Sequence, residues 1–249
     1  MKPHDSLGLQ EQRVLVVGGT SGMGLGVAQA VMDAGALVVV AGRRPLADRR
    51  ALDAPEGRLG HALVDVTDEA SVRALFDDLG VLDHVMVTAS PPPGSWGPFL
   101  DRDLTQIRSY LDDKLIGSLS CARYAAPRLR RDGSITFLTG VAAVKPRAGM
   151  VMVSVAFAAL EALSRALAVE LGPLRVNTIR PGFIDSDMWS FLSEEAREQI
   201  RAKVRTTFPV HRTGTIEDIG HAAVFLMTNP YVTGAILEVT GGEQFADGF

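Results

Sequence analysis

The stretch RVLVVGGTSGMGLG, Arg13–Gly26, constrains the fold more than any other part of the chain. A short apolar run feeds straight into glycines and then into an apolar helical pattern. Glycines let the backbone turn sharply off a strand and approach a diphosphate closely. The helix start then offers free N–H groups and the positive end of its dipole. A glycine triplet alone is a weak signal, since a tight turn without a ligand looks the same. The strand–loop–helix setting is what makes Gly18, Thr20, Ser21, Gly22, Met23 and Gly24 candidates for holding a dinucleotide.

The same alternation of apolar run and amphipathic segment continues to the end of the chain. Arg13–Gly18, Ala36–Ala41, His61–Val66, Leu82–Ala89, Ser134–Thr139, Leu174–Ile179 and Ala235–Thr240 read as strands, most of them apolar on both faces. Helical stretches lie between, among them Thr67–Leu79 with Thr67 as N-cap, and Thr215–Met227 opening on Thr-x-x-Asp. The pattern predicts an α/β fold, a Rossmann-type doubly wound parallel sheet of about seven strands with helices on both faces. No linker or repeat interrupts it, so residues 1–249 are expected to form one domain, with 1–12 as a flexible tail.

Composition narrows the partners. A net charge of −4 argues against nucleic acid or an anionic membrane, and the cluster Arg123, Arg128, Arg130, Arg131 reads as a solvated helix end. The single Cys121 has no disulfide partner within the chain, and the five histidines show no metal-ligand spacing, so no metal is expected. The first residues lack an apolar core segment, and no run of about 18 apolar residues was found. Neither a signal peptide nor a membrane span is therefore expected, and the cytoplasm is the default location.

After the second strand comes Gly42-Arg43-Arg44 rather than an acidic residue. An acid there binds both ribose hydroxyls and repels a 2′-phosphate, whereas guanidinium groups suit phosphate oxygens. Arg43 and Arg44 therefore favour NADP(H), the alternative being two surface arginines on a loop.

The spacing Gly18-x-x-x-Gly22-x-Gly24 resembles the T-G-x-x-x-G-x-G loop of the short-chain dehydrogenase/reductase family, with Val17 where that loop usually has threonine. The resemblance covers nearly the whole chain. Asp65-Val66 looks like the family's adenine-contacting pair, and Tyr231–Gly242 like its closing strand. Arg175–Met188 looks like its R-V-N…P-G-x-x-x-T-x-M segment, which makes Pro181, Gly182, Ile184 and Ser186 candidates around the nicotinamide. Val87-Thr88-Ala89-Ser90 replaces the family's N-N-A-G turn and leaves Ala89 beside the cofactor.

The resemblance also implies a serine, a tyrosine, a lysine and an asparagine for ketone reduction. Those positions fall on Gly140, Val153, Phe157 and Lys114, and neither valine nor phenylalanine can move a proton. Tyr110 and Lys114 form a Tyr-x-x-x-Lys pair on the preceding helix, which puts them on one face. They are candidates for a substitute acid and its charge partner, with an ordinary i,i+4 surface contact as the bland alternative. Thr139 is a weaker candidate. Trp96, in the proline-rich Ser90–Phe99 loop, and Trp189 and Phe191 either line a pocket for a bulky apolar or aromatic substrate or pack under loops.

The function expected is an atypical NADP(H)-dependent oxidoreductase acting on a carbonyl or enone. The alternatives are a catalytically silent NADP(H)-binding protein and a non-redox enzyme, such as a cyclase, using the same pocket. Ala148–Leu171 is apolar around much of its circumference, and in the family this helix pairs across a two-fold axis. A homo-oligomer, a tetramer, is therefore expected.

Overall fold

The computed structural model describes residues 8–45, 57–92 and 94–247. Seven strands form one parallel sheet: β1 (Arg13–Val17), β2 (Leu37–Gly42), β3 (Leu59–Leu63), β4 (Leu82–Val87), β5 (Leu129–Leu138), β6 (Arg175–Pro181) and β7 (Ile236–Val239). Their order is β3-β2-β1-β4-β5-β6-β7, so the chain runs one way from β1 to β3 and the other way from β4 to β7. The switch lies between β1 and β4, where an open α/β sheet leaves a crevice at its carboxyl ends. This is the predicted Rossmann-type sheet.

The helices are α1 (Gly22–Asp33), α2 (Glu69–Leu79), α3 (Leu104–Leu111), α4 (Gly117–Ala125), α5 (Val151–Glu170), α6 (Glu194–Thr207) and α7 (Ile216–Thr228). One apolar cluster joins β1 and β2 to α1 and α7, and a second joins β1, β4 and β5 to α2 and α4. Central strands must therefore be apolar on both faces, and β6 is buried along its whole length.

Three details of the predicted boundaries change. The third strand is Leu59–Leu63, in register with Val38–Gly42, and ends before Asp65. There the Asp65 carboxylate accepts from the Thr67 backbone and hydroxyl and turns the chain out of the sheet. Asp68, not Thr67, caps α2 by accepting from Ala70 N at 2.9 Å. The described part of the expected tail, from residue 8 to residue 12, is docked on the fold. Residues 1–7 lie outside the described residues, but Leu9 is fully buried in the core and its N–H donates to Ala34 O. At α7 the predicted start holds, since the Asp218 carboxylate accepts from Thr215 N at 2.9 Å.

By length and composition alone helix α5 is apolar enough to cross a membrane. In the fold it is a covering helix. Val153, Ala156, Leu160 and Ser164 are buried, and Glu161 among them is ion-paired to Arg180 of β6. The Arg123–Arg131 cluster lies around the amino end of β5, with Arg128 paired to Asp77 and Arg130 to Asp83.

His84 of β4 fastens the N-terminal segment to the sheet. Its Nε2 lies 2.7 Å from Gln12 Oε1 and its Nδ1 2.8 Å from Ser134 Oγ. The amide oxygen can only accept, so Nε2 carries the proton and Nδ1 accepts from the serine. Burial, with Arg175 adding to it, pushes the imidazole down from 6.5 to about 3. The unfolded chain thus binds a proton near 6.5 that the folded chain refuses until about 3. This contribution to stability is full above 6.5 and is lost as pH falls toward 3, by up to about 1.4 kcal/mol per pH unit. Urea unfolding at pH 7 and pH 5 should show it, and His84→Gln should flatten the pH dependence by that amount. Identical slopes in the two proteins would refute the assignment.

Candidate functional site

The glycine loop follows β1 into the crevice. Gly18 has φ +88°, and a Cβ there would lie 2.5 Å from Thr88 Oγ1. A Cβ on Gly24 would lie 2.2 Å from Gly18 O, so neither position tolerates a side chain. Thr88 completes the junction, its hydroxyl donating to Val17 O at 3.0 Å. Gly22 faces open space. Ser21 at the N-cap makes no side-chain capping bond, and the first turn of α1 carries no acid. The helix start is therefore free to receive an anion. Met23, by contrast, packs half-buried against the core.

At the end of β2 both Arg43 and Arg44 are exposed. A Cβ on Gly42 would lie 3.0 Å from Thr20 Oγ1, which places the threonine hydroxyl beside the arginines. Arg43 also acts on two carboxylates. Asp65 is held low by its hydrogen bonds to Thr67, with Arg43 helping. Asp113 is raised by burial, and Arg43 opposes the rise. Val66 packs against Gly117.

On the other side, β6 runs through Pro181-Gly182 into the segment carrying Ile184 and Ser186. Ile184 is buried in the core, and its carbonyl accepts from Trp189 Nε1 at 2.9 Å. The Ser186 hydroxyl is buried without a hydrogen-bond partner. A buried orphan hydroxyl needs a ligand atom or water to satisfy it. Together with the uncapped α1 start, it means that the residues present fit a nicotinamide dinucleotide laid across the crevice.

Of the catalytic positions implied by the resemblance, Val153 lies in a small apolar cluster with Tyr110, Ala142 and Ala156, against which Trp96 and Phe157 pack. Phe157 fills the space over Gly140, where an added Cβ would lie 2.7 Å from its Cε2. The absent side chain at 140 and the ring at 157 are thus one packing solution.

Tyr110 and Lys114 are not the coupled pair expected. The helix changes to a π turn at Asp112–Ile116, and Lys114 sits in that turn. Its Nζ donates to Ala89 O at 2.9 Å and lies 5.6 Å from the centroid of the Phe157 ring. Burial pushes Lys114 down to about 7. Burial, then the charge of Asp113, raises the Tyr110 phenol above its ordinary value, and nothing from Lys114 offsets this. Thr139 is also committed elsewhere, its hydroxyl donating to Glu161 Oε1 at 3.1 Å.

The three aromatic candidates do come together. Trp96 meets Phe191 edge-on at 5.9 Å, Phe191 lies 6.2 Å from Trp189, and Trp189 stacks on Phe183 at 5.2 Å. This chain of rings joins the loop after β4 to the segment after β6. Residue 93 of the proline-rich loop lies outside the described residues.

Sequence reasoning missed two buried carboxylates that hold this side together. Glu161 accepts from Arg180 Nε at 2.8 Å and Nη2 at 2.6 Å. Glu243 accepts from Phe183 N at 2.6 Å and pairs with Arg147. Burial raises the Glu243 carboxyl, and Arg147 opposes the rise. For Glu161 the available signal was an acid one helical turn after the apolar Phe157, on the same face.

The fold and this crevice define a dinucleotide-binding α/β oxidoreductase. Residues 17–244 match the family model described as enoyl-(acyl carrier protein) reductase. The chain is 30% identical to a short-chain dehydrogenase/reductase of Acremonium sp, over 96% of this chain and 97% of that protein. It is 31% identical to the 3-oxoacyl-(acyl-carrier-protein) reductase FabG of Chlamydia muridarum, over 94% of this chain and 98% of that protein. Among solved structures it resembles a small-chain dehydrogenase in complex with NADPH, with a TM-score of 0.81 and 29% identity, over 95% of this chain and 100% of that chain. It also resembles the MalC Reductase/Diels-Alderase of Malbranchea aurantiaca, with a TM-score of 0.85 and 26% identity, over 95% of this chain and 98% of that one. The chain belongs to the short-chain dehydrogenase/reductase family, whose members use nicotinamide cofactors.

Proposed function

We propose that this protein reduces apolar or aromatic carbonyl or enone compounds, prefers NADP(H), and takes its proton from a group other than the tyrosine usual in the family. The observation that carries this reading is the contrast between the two halves of the crevice. The dinucleotide half keeps its glycine loop, its uncapped helix and the orphan Ser186 hydroxyl. The catalytic half is filled by Val153 and the Phe157 ring.

When bound, a nicotinamide dinucleotide supplies a hydride. In this reading the α1 start holds its diphosphate, Asp65-Val66 its adenine, and Thr20, Arg43 and Arg44 its 2′-phosphate. Pro181, Gly182, Ile184 and Ser186 hold the nicotinamide end, with Ala89 between. Trp96, Trp189 and Phe191 shape the substrate side, and their apolar surfaces favour a bulky, weakly polar molecule.

The proposal includes a cytoplasmic homotetramer. Val151, Val155 and Val169 on α5, with Ile116 just before α4 and Leu119 on it, expose apolar side chains suited to a subunit contact. The lone Cys121, buried, is consistent with a reducing compartment.

Calorimetric titration should show NADPH binding at least about tenfold more tightly than NADH, the scale of a charge-assisted phosphate contact. Arg43→Ala should remove most of that preference, and equal affinities that the mutation leaves unchanged would defeat the NADP(H) assignment. NADPH absorbance followed against aromatic ketones, quinones and enones tests the reaction. Tight cofactor binding without oxidation of NADPH by any of them would favour a silent binding protein instead.

A further inference from the structure

We infer that Lys114 by itself, without Tyr110, is the proton donor of this site, delivering a proton from Nζ to the substrate oxygen. The inference rests on the reductase reading above and names the group that reading leaves open. Its ground is geometric. Nζ bonds to the carbonyl of Ala89, just past the end of β4, and lies under Phe157, whose ring abuts Gly140 just past the end of β5. The amine therefore stands where the carboxyl ends of two central strands meet, the place where an open parallel sheet presents its ligands. The Phe157 ring over it is half-buried and must move aside for a substrate oxygen to reach Nζ.

Among the described residues the amine also has no counter-charge. Lys114 is 1% exposed. The titratable or charged groups on the elements packed against its turn are Arg108 and Tyr110 of α3, Asp112 and Asp113 beside it, Cys121, Arg123 and Tyr124 of α4, and Glu161, Arg165 and Glu170 of α5. Nζ makes neither an ion pair nor a hydrogen bond with any of them; its bond is to Ala89 O. Asp113 answers instead to Arg43, and Glu161 to Arg180. A buried ammonium without a counter-charge is a ready acid, and burial alone brings Lys114 down to about 7. Tyr110 moves the opposite way and is the poorer donor.

The step balances simply. The hydride for the carbonyl carbon is what a bound reduced nicotinamide supplies. For its part Lys114 gives up a proton, an N–H bond of its ammonium breaking as an O–H bond forms on the oxygen that takes the carbonyl π pair. The neutral amine then regains a proton from solvent. Because the acid is the protonated form, reduction should be fast below about 7 and decline above it, the opposite of a base-limited profile.

The test has two readouts. The chain has four lysines, so the 13Cε resonances of protein labelled with 13C-lysine can be followed without cofactor or substrate. One should titrate near neutrality and vanish in Lys114→Met. In turnover, Lys114→Met should lose about 10²–10⁴ in kcat with NADPH affinity unchanged, the scale of a lost general acid. Lys114→Arg, which stays protonated, should lose the decline above neutrality. A Lys114 resonance that is flat from pH 6 to pH 9 overturns the inference even if the variants fail to fold. Reduction by Lys114→Met at the wild-type rate overturns the donor and leaves the reductase reading intact. A titrating Lys114 in a protein that oxidises NADPH with no substrate sinks that reading, and the donor with it.

Discussion

Arg180→Met is expected to cost about 3–5 kcal/mol of folding stability, the scale of leaving one member of a buried ion pair without its partner. Arg180 grips Glu161 through two hydrogen bonds and also pairs with Glu238, and its own side chain and that of Glu161 are almost wholly buried. With the guanidinium gone, Glu161 keeps the Thr139 hydroxyl as its one partner among the described residues. The network joins the ends of β5 and β6 to α5, so the loss should extend to the crevice. Thr139 leads into Gly140, and Arg180 into Pro181-Gly182. Urea unfolding measures the effect. The double variant Arg180→Met with Glu161→Leu should recover most of the loss, because exchanging both charges for packed apolar groups is often close to neutral. A single-variant loss below about 1 kcal/mol would mean that the pair is solvated and its geometry incidental.

Most of the fold could be read from periodicity, because its signals are local. A strand covered on both faces must be apolar throughout, and β1, β2, β4 and β6 declare themselves on that ground. The edge strand β3 was misplaced because it is only half-buried, so its apolar signal fades while the more apolar residues after it belong to a turn. The N-terminal segment read as a tail because a single leucine carries its burial, and no pattern distinguishes Leu9 from a chance apolar residue.

The site was legible unevenly, for the same kind of reason. Gly18 and Gly24 are demanded by backbone contacts, so the sequence shows them directly. The relation between Tyr110 and Lys114 was inferred from an ideal helix, and the π turn at Asp112–Ile116 breaks that inference by redirecting Lys114 to Ala89. Which of the two titrates near neutrality depends on burial in three dimensions and cannot be read from spacing. The Glu161–Arg180 pair spans 19 residues between a helix and a strand, and no local pattern announces it.

Val153→Tyr with Phe157→Lys is expected to leave the protein a poor reductase of simple ketones, whereas adding Gly140→Ser and Lys114→Asn should raise turnover by about 10²–10⁴. The reason is that the four positions are mechanically linked. Gly140→Ser alone meets the Phe157 ring and should cost about 1–3 kcal/mol as an overpacked core. Phe157→Lys removes that ring, so the two changes should be strongly non-additive in a double-mutant cycle. A lysine at 157 in turn falls beside Lys114, whose Nζ is 5.6 Å from the present ring centroid, and two like charges there disfavour each other's ionisation. Val153→Tyr also enters a cluster already closed by Tyr110 and Trp96. Function is therefore recovered only when the hydroxyl, the phenol and a single lysine are installed and the competing cation is withdrawn. Turnover of a ketone panel by the double and quadruple variants decides the matter. High activity in the double variant would show that neither Gly140 nor Lys114 obstructs the older chemistry. An inactive but folded quadruple variant would show that the resemblance assigns these four positions wrongly.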